Sequence, residues 1–324
     1  MTQAPQNNES RRRVVGAEQD HATVAAIVRE LMDQLPWTKS RELVRTGRVT
    51  VDGVQCFDPA TRVASGAVIE INPTAKRRRA PTLEPERLVF VDAEIVVVEK
   101  PAGLISVAHD EQDQRDSLIE RTRIALLERE RDEEDKAGSD RLGVVQRLDE
   151  DTTGLIVFAR TRRARKHLDA QFRAHTVERR YVALVYGRAE AAVHDSYLVP
   201  DRGDGRRGSW HGPNRPPAAK RSITKVRIEQ RLQAPKGQEL TLISCQLETG
   251  RQHQLRIHLA EAGNPLVGER VYGRPREIDP FGALRPMLHA ASLGFRHPAH
   301  DRPVRFESPL PVDFRALLDT LRRV

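Results

Sequence analysis

From Leu88 onward the chain carries short apolar, β-branched runs: "RLVFV", "EIVVVEK", "GLIVFAR", "RRYVALVYG" and "ELTLISCQLE". This feature limits the fold more than any other. Runs this short, bounded by turn residues such as Asp92-Ala93 and the Lys-Pro-Ala-Gly of Lys100 to Gly103, read as strands. "RRYVALVYG" puts Tyr181, Ala183 and Val185 on one face, and "ELTLISCQLE" alternates Leu240, Leu242 and Ser244 against Thr241, Ile243 and Cys245. Helical stretches lie between some strands. "SLIERTRIALLERERDEEDKAGSD" starts as a helix and becomes a charged connection, while "TRRARKHLDAQFRAH" places Ala164, Leu168 and Phe172 on one stripe. Repeated strand–helix–strand units are missing from this pattern, so the expected class is α+β.

The composition narrows the partners. A length of 324 residues allows a substantial core and suggests about two domains. With 38% hydrophobic and 31% charged residues the surface is heavily solvated, and no apolar run is long enough to cross a bilayer, which argues against a membrane partner. The net charge of +8 fits a polyanionic partner, because each Lys or Arg that neutralises a phosphate releases a counterion, or equally a soluble basic protein without one. Only Cys56 and Cys245 occur, in or beside expected strands, which excludes a disulfide framework and a cysteine metal site and fits a reducing cytoplasm. Residues 1–20 have no apolar core for a secretory signal and read as a polar, flexible tail.

A first folded unit is expected over residues 21–73. Val24, Ile27, Val28 and Leu31 recur at helical spacing. A second helix is expected to begin at Thr38 or Ser40, either of which could cap it, and to stop at Gly47. Val49 and Val51 alternate with polar residues ahead of Asp52-Gly53, a strong hairpin signal, and "TRVASGAVIEI" reads as a further pair of strands around Ser65-Gly66. Together "TKSRELVRTGRVTVDGV" and "RVASGAVIEI" resemble the alpha-L, or S-four-type, RNA-binding module. The resemblance implies that Lys39, Arg41, Arg45 and Arg48 face RNA; the alternative is an ordinary solvated helix face. Residues 74–87, with four consecutive basic residues from Lys76 to Arg79 between prolines, read as an extended basic linker, and residues 88–324 as a second domain.

Within that second domain, "VVQRLDEDTTGLIVFAR" sets Asp149 two residues after Arg147, at a turn before an apolar strand. An aspartate there commonly satisfies nearby backbone N–H groups; the sharper reading is a carboxylate kept ionised by an arginine. "TGRQHQLRIHLAEAGNPLVGERVYG" opens with what reads as an amphipathic helix with apolar Leu255 and Leu259, preceded or entered by Arg251, His253, Arg256 and His258. His253 and His258 are five apart, whereas paired helical zinc ligands sit four apart, so metal binding is not expected. Asp201 to Lys220, rich in Gly, Pro and Arg, reads as a loop, expected either to help select RNA or to be no more than a disordered insertion. "MLHAASLGFRHPAHDRPVRFESPLP" reads as strand and turn without defined chemistry.

Taken in order, "KPAG", "RLDEDTTGLIVFAR", "YVALVYG", "TGRQHQLRIHL" and the final "LHA" with "SPLP" resemble the RluA-type family of pseudouridine synthases over about Leu88 to Pro311. The resemblance implies a catalytic domain with a mixed, largely antiparallel sheet flanked by helices and loops, behind a small alpha-L domain. It implies an isomerase that flips a uridine out of structured RNA and turns it into pseudouridine, without metal or other cofactor. Large-subunit ribosomal RNA is the first expectation for the substrate and transfer RNA the alternative. By the same resemblance Asp149 is the essential aspartate, Tyr181 the active-site tyrosine and Arg256 the basic partner of the aspartate. Arg147 would fill the space left by the extracted nucleotide, and Leu148 and Leu255 would line the pocket; Arg251 is read as RNA-binding, its spacing alone leaving phosphate binding, pairing with Asp149 and plain exposure open. Gln146 stands where the family most often has His, which leaves open how the RNA is positioned. A monomer is expected. Competing readings are a non-catalytic RNA-binding or ribosome-assembly protein, and a hydrolase that would need a second carboxylate such as Glu150 or Asp151.

Overall fold

The structure is a computed structural model that describes residues 10–57, 59, 61–76, 82–108, 116–132, 142–273 and 279–323. The chain divides into two compact units, residues 1–83 with 107–129, and residues 84–106 with 130–324. Residues 107–129, which fall inside the expected 88–324 domain, thus group with the first unit. Of the basic run Lys76 to Arg79, Arg77, Arg78 and Arg79 lie outside the described residues.

The first unit contains β1 (Arg11–Val14), α1 (Val24–Leu31), α2 (Trp37–Arg45), β2 (Val49–Val51), β3 (Val54–Cys56) and β4 (Val68–Ile71), with sheet order β1-β4-β2-β3. It also contains most of α3 (Leu118–Asp132). Thr23 caps α1 by accepting from the Ala26 N–H at 3.3 Å, and Val24, Ile27, Val28 and Leu31 pack on Val44, Val49, Val51, Ile69 and Ile71. Asp52 and Gly53 both have positive φ, 51° and 81°, the geometry of a two-residue hairpin between β2 and β3.

Several expectations for this unit are corrected. The polar tail is structured in part: β1 pairs antiparallel with β4, and Arg11 donates to Asp33 at 2.7 Å and Arg13 to Glu30 at 3.2 Å. Charge pairing with the end of α1 thus orders a segment that has no apolar periodicity. The second helix begins at Trp37 after Pro36, with no side-chain cap, because proline presets the entry dihedral and has no N–H to satisfy. Ser40 instead lies buried inside the helix and donates to the Trp37 carbonyl at 3.1 Å. Residues 61–66 do not form the first arm of a hairpin; β4 pairs with β1 and β2.

The second unit runs β5 (Leu88–Val91), β6 (Ile95–Lys100), β7 (Gly143–Val144), β8 (Thr153–Ala159), α4 (Arg162–Arg173), β9 (Glu178–Tyr186), β10 (Ala192–Val199), β11 (Gly208–Ser209), β12 (Lys220–Gln233), β13 (Glu239–Leu247), α5 (Gln254–Glu261), β14 (Leu288–Arg296), β15 (Pro303–Glu307), α6 (Val312–Asp319) and β16 (Arg322–Arg323). One 12-stranded sheet has the path β11-β10-β12-β13-β9-β14-β8-β6-β5, with β15, β16 and β7 attached to β14, β12 and β8. Its pairings are antiparallel except β8 with β14, so the sheet is mixed and largely antiparallel. All seven residues of β8 are buried, as expected for a continuous apolar run in the middle of a sheet. Thr161 caps α4, whose Ala164 and Leu168 pack on Ile95, Val97, Leu155 and Val157.

Two further readings change here. The Asp201 to Lys220 stretch is mostly turns, but Gly208–Ser209 pairs with β10 and Lys220 already belongs to β12. Helix α5 is not amphipathic: Gln254, Leu255, Arg256, Ile257, His258 and Leu259 are all buried. Its polar side chains go inside because each finds a partner there.

Candidate active site

The turn bearing Asp149 is held by its backbone. The Thr152 N–H donates to the Asp149 carbonyl at 3.1 Å and closes a four-residue turn. Ser106 grips the residue before it, donating to the Leu148 carbonyl at 2.7 Å and accepting from the Leu148 N–H at 2.9 Å. Lys100, fully buried at the end of β6, donates to the Pro101 carbonyl at 2.8 Å and to the Glu150 carbonyl. Arg285 reaches the Asp151 carbonyl at 3.3 Å while its other edge is bidentate to Asp313. Burial lowers the Lys100 amine to about 7, against the opposing attraction of Asp151, Asp149 and Glu150.

Beyond the turn, the chain enters β8 through Gly154, whose φ is +109°. A Cβ at this position would lie 2.3 Å from the Ala290 carbonyl oxygen, so only glycine lets β8 and β14 approach here. Thr153 meets His289 Nδ1 at 2.9 Å and His289 Nε2 meets the Ser308 carbonyl at 3.2 Å. The "LHA" and "SPLP" segments, which carried no chemistry of their own, thus brace the strand behind Asp149. One register row crosses four strands through Gly154, Ala290, Tyr181 and Cys245, which brings Tyr181 to the same part of the sheet.

Opposite the turn stands the start of α5. His253 adopts the left-handed conformation, φ 59°, immediately before the helix. Gln254 secures that bend: its carbonyl accepts from Thr249 and from the Arg251 N–H, at 2.8 and 3.0 Å, and its amide donates to the Ile223 carbonyl and Thr224, both at 3.0 Å. Every polar atom of this buried amide is therefore engaged. Arg256 is bidentate to Glu269, Nε and Nη2 at 2.8 and 2.7 Å. Its remaining Nη1 lies 3.9 Å from Asp149 Oδ2. His253 Nε2 lies 3.9 Å from Asp149 Oδ1, and its Nδ1 is 2.7 Å from the Tyr272 hydroxyl.

The electrostatics follow from burial and pairing. Desolvation opposes ionisation of Glu269, but the Arg256 hydrogen bonds and charge, with N–H donors of Val271 and Tyr272, hold its carboxyl below the usual range. Burial likewise opposes the charge on Arg256, and Glu269, then Asp149, raise it back above the ordinary value. Burial lowers the His253 imidazole despite the nearby Asp149. The Tyr181 phenol is raised by burial first, partly offset by Arg179, and raised further by Asp149. Asp149 is the ionisable acid left facing two donors at ion-pair range, its side chain 24% exposed.

The expected site residues divide into two groups. Asp149 and Arg256 face each other as expected, and Tyr181 is close enough to feel the Asp149 charge. Leu148 and Leu255 are buried. Arg147 is exposed beside the turn, and Arg251 is exposed with its Nε 3.4 Å from the Arg221 carbonyl. Lys39, Arg41 and Arg45 are exposed in the first unit, whereas Arg48 is half-buried and donates to the Ala75 carbonyl at 3.0 Å. Gln146 is half-buried, and its amide nitrogen has no hydrogen-bond partner among the described residues. Glu150 and Asp151, the candidates for a hydrolase's second carboxylate, are exposed. Sequence reasoning missed Lys100, His253, Gln254 and Glu269 as site residues. All four lie inside the quoted stretches, but Glu269 carried no signal of its own there. Among the described residues no group of His, Cys, Asp or Glu is arranged to hold a metal ion, and no helix is long and apolar enough to cross a membrane.

The braced turn thus sets the Asp149 carboxylate 3.9 Å from a buried arginine that is itself paired with Glu269. Residues 94–261 match the RNA pseudouridylate synthase family, and the chain belongs to that family of isomerases. The ribosomal large subunit pseudouridine synthase D of Pseudomonas aeruginosa is 37% identical to it, over 86% of each chain. The proteins of that name from Xanthomonas campestris and Zymomonas mobilis are each 31% identical, covering 92% and 95% of this chain and 88% and 95% of theirs. Human RNA pseudouridylate synthase domain containing 4 shares the fold, with a TM-score of 0.55 at 21% identity over 73% of this chain and 94% of that one. The family suggested by the five quoted stretches is thus the family shown.

Proposed function

We propose that this enzyme isomerises uridine to pseudouridine in large-subunit ribosomal RNA, with Asp149 acting at the glycosidic bond. One observation carries the assignment: the Asp149 carboxylate sits on a turn clamped by Lys100, Ser106 and Arg285, 3.9 Å from both Arg256 and His253. The names of the relatives, at 31–37% identity over most of their length, support the choice of RNA.

The reaction is redox-neutral and keeps every atom. The bond from C1′ to N1 breaks, the uracil turns within the pocket, C5 bonds to C1′, and the C5 proton leaves as N1 gains one. A carboxylate serves this by attacking C1′ or by taking a proton from the sugar as the base departs. Arg256 presents its Nη1 to the Asp149 carboxylate for either route, and the buried Glu269 fixes the guanidinium so that no reorganisation is needed. Tyr181, on the same part of the sheet, serves the base by stacking or by proton removal. Leu148 and Leu255 form apolar wall, Arg147 enters the space vacated by the flipped nucleotide, and Arg251 meets phosphate.

The same reading takes residues 21–73 as an S-four-type module whose Lys39, Arg41, Arg45 and Arg48 meet phosphates, residues 74–87 as a basic linker and residues 88–324 as the catalytic domain. Action on ribosomal RNA makes the cytoplasm its place of work, and a monomer suffices.

The test is tritium release from ribosomal and transfer RNA labelled at uracil C5. Wild type is expected to release tritium from large-subunit RNA, and Asp149→Asn to lose at least about 10³-fold in rate. Release from transfer RNA alone would move the substrate. Salt-sensitive binding without release from either would favour a non-catalytic RNA-binding protein.

A further inference from the structure

The turn between β10 and β11 is a rigid arm docked on the wall of the site. Its strands pair Leu198 with Ser209 and Val199 with Gly208, and the Arg202 N–H donates to the Arg206 carbonyl at 2.9 Å. Asp201 accepts from the N–H groups of Gly203 and Gly205 at 2.7 and 2.9 Å. Two staples fix the arm to the site. Ser209 bonds Glu261 at the end of α5 through its N–H, at 2.9 Å, and through its hydroxyl. Arg206 Nη1 donates at 3.0 Å to the carbonyl of Val271, the residue before the Tyr272 that holds His253.

The arm carries three arginines, and two are engaged. Arg202 binds Asp204, with Nη2 to Oδ2 at 2.9 Å, and lies 3.9 Å from Glu261. Arg206 serves the Val271 carbonyl. Arg207, half-buried between these staples, has no acid or carbonyl partner among the described residues. Arg207 sits between Arg206, bonded to the carbonyl before Tyr272, and Gly208, next to the Ser209 bonded to the end of α5, so the arm carries it along the wall that faces Asp149. Burial is the main cause of the shifts of His253 and Tyr272, and the Arg207 charge is a minor cause that lowers both. A nucleotide swung out of its stack brings its flanking phosphates to the rim of the pocket that receives the base. A half-buried guanidinium with open donors suits one of them, since its planar fork matches phosphate oxygens.

We propose that Arg207 is a positioning residue that binds an RNA backbone phosphate next to the flipped uridine. The inference rests on the uridine-isomerase reading above. It is tested with full-length wild type, Arg207→Ala and Arg207→Lys by steady-state tritium release from large-subunit ribosomal RNA at several salt concentrations. Arg207→Ala is expected to raise KM about 10-fold with kcat within about twofold, and to flatten the salt dependence of log(kcat/KM) by about 0.7–0.9, the loss of one phosphate contact. Arg207→Lys is expected to restore the salt slope and most of KM. A structural role would leave the slope unmoved and lower the melting temperature instead. Wild-type KM and salt slope in Arg207→Ala, or no recovery by lysine, would overturn the inference. No turnover by wild type would overturn the isomerase reading itself and the inference with it.

Discussion

On α2 in the first unit, Lys39, Arg41 and Arg45 stand in solvent, whereas in α5 Arg256 is buried and bidentate to Glu269. The same chemistry is thus placed under opposite conditions. An exposed cation costs the fold little and is available to any polyanion that arrives. A buried cation must have a partner, and the Arg256–Glu269 geometry leaves only Nη1 for Asp149. The difference separates residues that can be exchanged one by one from residues that stand or fall as a set.

Breaking the buried pair should have the largest effect. Glu269→Ala leaves the Arg256 charge unpaired, and unfolding should show a loss of about 3–5 kcal/mol, with activity lost as well. Gly154→Ala asks the same question of the backbone. Its Cβ would meet main chain at 2.3 Å in a conformation of φ +109°, and a loss of roughly 1–3 kcal/mol is expected, together with reduced kcat from a displaced turn.

Lys100 sharpens the comparison, because it is a buried cation that donates to carbonyls rather than forming an ion pair. Its folded value of about 7 lies below an unfolded value of about 10.4, so between these the unfolded chain holds more protons and stability rises with pH. Unfolding measured from pH 7 to 10 should therefore show wild type gaining on Lys100→Met, by at most about 1.4 kcal/mol per pH unit. A flat difference would mean the amine is solvated in the native state.

The smallest effect on the fold is expected from Arg41→Ala with Arg45→Ala, within about 0.5 kcal/mol for each. RNA binding measured across salt should nevertheless lose roughly 1.5 from its slope if both arginines meet phosphate. Loss of folding without change in slope would show that this helix face is structural.

How legible all this was depended on whether the information was local. The β-branched runs and Asp52-Gly53 were readable because strand and hairpin preferences act over a few residues, and Asp149 was readable because its motif is contiguous. The start of α2 was not, because Pro36 outweighed the capping preference of Thr38 and Ser40. Helix α5 reads as half-exposed from its mixture of Gln, Arg and His. It is buried because Thr249, Thr224, Ile223 and Glu269 satisfy those side chains, and none of these partners can be inferred from periodicity.

What the sequence determined by itself was the family and the strand-forming segments, since motifs and periodicities are properties of neighbouring residues. Only the tertiary structure decided that Lys100 would grip a carbonyl 50 positions away, that Glu269 would hold Arg256 and that Arg207 would have no partner among the described residues. The reason is physical. Burial makes a polar group's partner obligatory, and the partner is chosen by which strands and turns the packed sheet brings together.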